Sequence, residues 1–269
     1  FPHSLGLLYS AFTYYSGFKV NSGEYKLMGL APYGKAKYVN LIKNNLIDIK
    51  EDGSFKLNMK YFDFCTNLKM TNNYFNELFG SPPRKPETKI RQRDMDLAAS
   101  IQKVTQDIII KLANTLSKDT GKKNLCFAGG VALNCVANGI LQKNKIFESI
   151  WIQPASGDAG GALGAALNAF YTISNTKRIR KTKKDVMKGS FLGPNFTNEE
   201  IKLQLDELNA IYEKFSFSQI CKIVAKSISK GNAVGWMNGK MEFGPRALGS
   251  RSIIADPRSK STQKNLNLK

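Results

Sequence analysis

Apolar residues in this chain recur either at intervals of three and four or in short unbroken runs. The clearest helical stripe is Leu97, Ile101, Val104, Ile108 and Leu112, which predicts a helix over Asp94–Ser117 with Gly121 as its stop. Leu5, Leu8, Phe12 and Tyr15 predict a buried helix starting near Ser4, with His3 ahead of it as a packing or capping residue. Two apolar runs, one ending at Gly129-Gly130 and one over Ser149–Gln153, enclose a further helical stretch. A loop, Pro154–Asp158, and a helix of small residues from Gly160 follow. Strand, helix, strand, loop, helix is the order of a parallel βαβ crossover. Open α/β folds bind ligands outside the carboxyl ends of their strands.

Toward the end, Thr197–Glu200 forms a capping box for a helix through about Leu208. Ile220, Ile223, Val224 and Ile228 predict a helix over Ser218–Ser229 stopped at Gly231, and Ala233–Met237 reads as a strand. The patterns between are weaker. Leu41–Ile49 reads as helix, Glu51–Leu57 as a short hairpin around Asp52-Gly53, Tyr61–Leu68 as strand-like, Asn76–Lys89 as loop, and Gly189–Phe196 as a strand and turn. Asn21–Tyr38, broken by Gly23, Gly29, Pro32 and Gly34, reads as a structured loop with one helical turn. Glu24 and Lys26 in it are either a surface ion pair or contacts to a substrate.

Three stretches carry candidate chemistry. Gly129-Gly130, between strand and helix, lets a ligand approach the backbone, and the helix start beyond offers free N–H groups to phosphate or to a nucleoside. The stretch lacks the endings of a P-loop and of a dinucleotide fingerprint. Asp158, just before a predicted helix, is either an N-cap or a hard ligand for a divalent cation. Gly161, Ala162, Ala165 and Ala166 after it favour close packing of that helix on its neighbours. Lys240, Arg246, Arg251 and Arg258 lie among Gly239, Gly244, Pro245 and Gly249, a setting suited to bidentate binding of phosphate or carboxylate. Glu242 and Asp256 are placed to orient these arginines.

Composition narrows the class. The chain has 269 residues, 42% of them hydrophobic, and a formal net charge of +19. The charge favours anionic partners, but the lysines are scattered and no RNA- or DNA-binding signature accompanies them. The densest basic run, Lys177–Lys188, reads as a solvated linker, and a domain boundary is expected near 180–188. Cys65, Cys126, Cys135 and Cys221 form no CxxC, which fits reduced, buried thiols in a cytoplasmic protein. One histidine, His3, excludes a Ser-His-Asp triad built on any other imidazole and makes a Cys/His zinc site an unfavoured reading. No apolar run reaches membrane-spanning length. The chain begins at Phe1 and is read as a piece cut at both ends.

Taken in order, GEYKLMGLAPYG, FAGGVALNC, SGDAGGALGAAL and MEFGPRALGSRSIIADPR resemble the O-carbamoyltransferase family of the NodU/CmcH type, over nearly the whole chain and most weakly in 40–90. The resemblance implies an α/β protein of two domains. Residues 1–183 would be the C-terminal portion of an actin/hexokinase-like ATPase (ASKHA) domain. Residues 184–269 would be the N-terminal portion of a YrdC-like α/β domain, truncated here. The YrdC-like domain would make carbamoyl-adenylate from carbamoyl phosphate and ATP, releasing pyrophosphate. The other domain would pass the carbamoyl group to a hydroxyl of a sugar, glycolipid, other glycan or secondary metabolite.

By position, the resemblance implies that Gly129, Gly130, Val131 and Asn134 hold the nucleotide, with Gly23, Glu24, Lys26 and Gly157 lining the same cleft. Asp158 would bind the metal, Fe2+ or Mg2+. Lys240, Arg246 and Arg251 would act on carbamoyl phosphate and the ATP phosphates, with Arg258 among the cofactor contacts. The family's paired metal histidines would lie upstream of Phe1, and His3 does not replace them. The C-terminal domain stops short, so this piece is expected to be incomplete for activity. Ser250 stands where the family often has Asn. A cytoplasmic enzyme, compatible with a homodimer and without a specific nucleic-acid partner, is expected. The rivals are another actin-fold ATP enzyme, a threonylcarbamoyl transferase or sugar kinase, and a basic nucleic-acid-binding protein.

Overall fold

The computed structural model describes residues 1–177, 185–259, 261, 262 and 266. Most of the basic run Lys177–Lys188, and the 183/184 boundary, lie outside the described residues. The chain mixes helices with small sheets and divides into two compact units, Phe1–Ile152 and a second from Gln153 onward.

The first unit contains α1 (Leu5–Tyr15), α2 (Glu24–Leu30), α3 (Val39–Asn45), the hairpin β1 (Ile47–Ile49) and β2 (Phe55–Leu57), α4 (Asn73–Phe79), α5 (Gln92–Thr120), β3 (Asn124–Phe127), α6 (Cys135–Lys143) and β4 (Ser149–Ile152). Ser4 caps α1 by accepting the Leu7 N–H at 3.2 Å. His3 Nδ1 accepts the Leu57 N–H at 3.2 Å, tying the chain's start to the hairpin. The long helix α5 is the unit's axis. It runs two residues beyond the predicted start and three beyond the predicted end, and Gly121 closes it in the left-handed conformation. Its stripe of Leu97, Ile101, Val104 and Ile108 is fully buried against α1, α2 and α3. Phe12, Tyr15, Phe75 and Phe79 interlock edge to face or tilted, with ring centroids 4.8–5.8 Å apart. Each fully buried ring stabilises the fold by about 1.5–3 kcal/mol through area alone. Arg84 is buried where α1 ends. Its Nε donates to the Ser16 carbonyl at 2.7 Å, a cation at the negative pole of the helix.

β3 and β4 run parallel, Asn124 opposite Ser149 and Phe127 opposite Ile152, with α6 as the crossover. The predicted βαβ unit is therefore present. The hairpin turns at Asp52-Gly53 as expected, Gly53 at φ 88°.

Several local expectations are corrected. The helix expected over Leu41–Ile49 ends at Asn45, because Ile47–Ile49 pairs with Phe55–Leu57 instead. Tyr61–Leu68 is not a strand. Met59–Tyr61 is a short 3-10 turn, and only Phe62 bridges to Thr71. Within Asn76–Lys89 the first residues belong to α4, capped by Asn72 and closed by Gly80 at φ 76°. Asn21–Tyr38 holds two turns of helix in α2, more than its glycines suggested, because Leu27 and Leu30 are buried on the core. The four cysteines are free but exposed rather than buried. Cys126 falls on the outward side of β3, whose residues alternate exposed and half-buried.

The second unit contains α7 (Asp158–Ile173), α8 (Asn198–Glu207), α9 (Phe217–Ser229), and β5 (Val234–Met237) paired antiparallel with β6 (Arg251–Ile254). The capping box at Thr197 forms: Glu200 accepts the Thr197 N–H at 2.7 Å, and Thr197 Oγ1 accepts the Glu200 N–H at 3.2 Å. Gly189–Phe196 is not a strand. Its residues pair singly with the Met241–Phe243 segment without a continuous ladder. Gly161, Ala162, Ala165 and Ala166 are exposed, so the expected close packing of α7 through them is absent among the described residues. The close approach is at Gly160 instead, where a Cβ would run into the Ala155 carbonyl.

Candidate functional site

In the first unit, the FAGGVALNC segment leaves β3 and turns at Gly129, with φ 94° and ψ 164°. Only glycine adopts that backbone readily. A Cβ built on Gly129 or Gly130 would meet no atom within 4 Å, so the turn presents bare backbone to open space. That is the kind of surface a nucleotide needs for close approach. A 3-10 turn, Gly130–Leu133, leads into α6. Val131 packs on the core, its Cγ2 3.6 Å from where a Gly6 Cβ would stand on α1.

Asn134 is buried, and both ends of its amide are bonded within the protein. Its Oδ1 accepts the Ala137 N–H at 3.0 Å, capping α6, and accepts from Gln102 Nε2 at 3.1 Å. Its Nδ2 donates to Gln102 Oε1 at 3.0 Å, and that oxygen also accepts from the Tyr9 hydroxyl at 2.9 Å. Asn134 thus fixes the glycine turn to α5 and α1. Gln102, which sequence reading passed over, is the residue that holds it. Its signal was a polar side chain beside Ile101 on the apolar stripe of α5.

The GEYKLMG motif touches the start of α6 through one residue. Met28 Sδ on α2 is 3.8 Å from Cys135 Sγ at the start of α6. Gly23 precedes α2, where a Cβ would stand 2.7 Å from the Lys19 carbonyl. Glu24 makes no ion pair with Lys26. Its Oε1 accepts from Ser10 Oγ at 2.8 Å and from the Asn21 N–H at 3.0 Å, stapling α2 to α1. Lys26 is exposed and lines a surface cavity of about 600 Å³ with Tyr14, Phe18, Lys19 and Met70.

In the second unit, Gly157 is the N-cap of α7, and Asp158 is its first helical residue rather than the cap. A carboxylate there complements the positive end of the helix. Lys240 and Arg246 lie on the connection between β5 and β6, and Arg251 opens β6 opposite Met237. Lys240 is exposed and Arg246 half-buried. Arg251 folds back on its own hairpin, donating to the carbonyls of Gly239 at 3.2 Å and Ser250 at 2.9 Å. Arg258 is held by Asp256 as a two-armed pair at 2.9 and 2.8 Å. That pairing pulls the Asp256 carboxyl down to about 2. Gly244, at φ 131°, rests against the Pro154 carbonyl, which a Cβ would approach to 2.9 Å, so the arginine loop meets the loop that leads to Asp158. Glu242 is buried at the centre of the arginine loop.

The two implied groups fit differently. The bare backbone at Gly129-Gly130 suits a nucleotide. Among the described residues, no three His, Cys, Asp or Glu side chains come together as a metal site. Asp158 offers one carboxylate, so the residues present do not by themselves make a metal centre. Among the described residues, no helix is long and apolar enough to cross a membrane.

Comparison with known proteins places the chain. The family model described as carbamoyltransferase N-terminus matches residues 1–167, and that described as carbamoyltransferase C-terminus matches residues 225–269. An uncharacterized protein of Synechocystis sp. is 58% identical over 272 residues, covering 100% of this chain and 44% of its own length. Nodulation protein NolO of Bradyrhizobium diazoefficiens is 31% identical, covering 98% of this chain and 45% of NolO. Nodulation protein NolNO of Sinorhizobium fredii is 34% identical, covering 99% of this chain and 37% of NolNO. The chain spans less than half the length of these relatives. The chain belongs to the carbamoyltransferase family, with nodulation proteins among its relatives.

Proposed function

We propose that the protein to which this chain belongs is an ATP-dependent O-carbamoyltransferase of the cytoplasm. The observation that carries the reading is the pairing, on one chain and in family order, of a bare glycine turn at Gly129-Gly130 with an arginine-bearing loop over Gly239–Arg251. In this reading the first region is part of an actin/hexokinase-like domain and the second part of a YrdC-like domain. The acceptor is a hydroxyl on a sugar, glycolipid or secondary metabolite.

The chemistry has two stages. Water cleaves carbamoyl phosphate to carbamate and inorganic phosphate. A carbamate oxygen attacks the α-phosphorus of ATP, and pyrophosphate leaves with the bonding pair. The acceptor hydroxyl then attacks the carbamoyl carbon, AMP leaves, and the hydroxyl proton passes to solvent. Both donor substrates are anionic, so the first stage needs cations to offset their repulsion. Lys240, Arg246 and Arg251 fill that role, with Arg258, held by Asp256, among the cofactor contacts. The glycine turn takes the adenylate through backbone N–H groups, and Val131 and Asn134 hold the turn's shape from behind. Gly23, Glu24 and Lys26 border it, and Gly157 starts α7. Asp158 contributes one ligand to a divalent cation, Fe2+ or Mg2+, that needs further ligands from outside this chain.

The test uses the full-length protein. Pyrophosphate release from ATP should require carbamoyl phosphate, and Arg246→Ala should abolish it. Release that ignores carbamoyl phosphate sinks the reading, and undiminished release by the variant sinks the role of Arg246.

A further inference from the structure

Glu242 is the one ionisable side chain buried in the second unit among the described residues. A buried carboxylate costs free energy unless hydrogen bonds satisfy it. Here a single oxygen, Oε1, accepts three backbone N–H groups: Leu248 at 2.8 Å, Ser250 at 2.7 Å and Arg251 at 3.2 Å. These amides come from the far end of the same loop, so the carboxylate closes residues 242–251 into a ring. Burial would raise the Glu242 carboxyl, but these amides, with its own, outweigh burial and bring it down to about 2. The group is therefore an anion in the working protein.

The anchor is itself fixed on both sides. The Met241 N–H donates to the Pro194 carbonyl at 3.0 Å, and the Met241 carbonyl accepts from Gly193 at 2.9 Å. The Phe243 N–H donates to the Ser190 carbonyl at 2.7 Å, and its carbonyl accepts from Ser190 Oγ at 2.6 Å. At the other end Gly249 stands at φ 114°, the turn that lets amides 248, 250 and 251 converge on one point. A Cβ at 249 would meet nothing within 4 Å, so conformation, not space, calls for glycine there. Arg246 lies inside the closed ring, and Arg251 supplies one of its three amides.

We propose that Glu242 is the positioning residue of the arginine loop, its buried carboxylate setting where Arg246 and Arg251 present their guanidinium groups to the anionic donor. The inference rests on the carbamoyl-transfer reading and adds to it a residue that need not touch substrate. A lysine or arginine on a free loop would bind anions as well, but would lose the fixed geometry on which rate depends. Misplacing a binding group by an ångström costs about a hundredfold in rate.

The experiment measures carbamoyl-phosphate-dependent pyrophosphate release, and amide exchange across 242–251, in the full-length protein. Glu242→Ala should lower kcat/KM about a hundredfold and deprotect the amides of Leu248, Ser250 and Arg251. Glu242→Gln keeps an oxygen acceptor in place, though a neutral one with weaker hydrogen bonds, and should restore release to within about tenfold of wild type. Glu200→Ala, which opens the α8 capping box in the same unit, should leave release within about twofold, because losing a cap costs stability of about 1 kcal/mol and not loop geometry. Wild-type release by Glu242→Ala, amides already unprotected in the wild type, no rescue by Gln, or an equal loss in Glu200→Ala overturns the positioning role. Wild-type protein without carbamoyl-phosphate-dependent release overturns the functional reading instead, and amide exchange then decides the tether by itself.

Discussion

Removing the Asn134 amide should destabilise the first unit by a predictable amount. Asn134→Ala deletes two things. The α6 N-cap, an N–H···O bond of 3.0 Å, contributes about 1 kcal/mol. Gln102 Nε2 also loses its acceptor in a side chain that is 4% exposed, and a stranded buried donor costs about 1–3 kcal/mol. Together the loss is about 2–4 kcal/mol, or roughly 30- to 1000-fold in the folding equilibrium. Gln102→Ala strands the Asn134 Nδ2 and takes an acceptor from the Tyr9 hydroxyl but leaves the cap, so it should cost a similar amount, about 2–4 kcal/mol. The double variant should cost less than the sum by about 1–2 kcal/mol, because each change has already removed the other's partner. The measurement is urea unfolding followed by tryptophan fluorescence. The two tryptophans are Trp151 and Trp236, and Trp151 on β4 reports on the unit concerned. Additivity of the single changes to within about 0.5 kcal/mol would refute the reasoning, since it would mean that the two amides do not depend on one another.

Gly129→Ala forces a side chain into φ 94°, ψ 164°, a strain of about 1–3 kcal/mol, and should weaken nucleotide binding to the full-length protein in titration calorimetry. An unchanged affinity would count against the turn as a nucleotide site. Asp96 is buried on α5. Burial alone would raise its carboxyl, but the Lys37 ammonium at 2.6 Å, the Lys35 amide and the Gln92 side chain hold it below the ordinary 3.8. A carboxyl depressed in the folded state supplies stability above its unfolded value and loses it as pH falls through the folded one. Stability should therefore fall below pH 3.8, and Asp96→Asn should flatten that acid limb in urea midpoints taken against pH; an unchanged limb would sink the assignment. Asp158→Ala should lower the divalent metal content of the full-length protein, and normal occupancy would remove Asp158 as a ligand.

Much of the local structure was legible from period and caps. The α5 stripe, the α1 stripe after Ser4, the Thr197 box and the paired runs around Gly129 each specify their element through nearby residues alone. Where the reading failed, a distant partner decided the outcome. Ile47–Ile49 is strand because Phe55–Leu57 lies opposite it, and α2 outgrew its glycines because the core buries Leu27 and Leu30. The candidate site divides in the same way. The glycines, the arginines and Asp158 are visible as letters, because turn conformation and charge are properties of single residues. That Asn134 faces Gln102 across 32 residues, and that Glu242 reaches forward to three amides six to nine residues on, are facts of side-chain direction. A linear pattern holds no such direction. Only the folded chain decides which polar groups leave water together, and so which residues shape a site rather than touch its ligand.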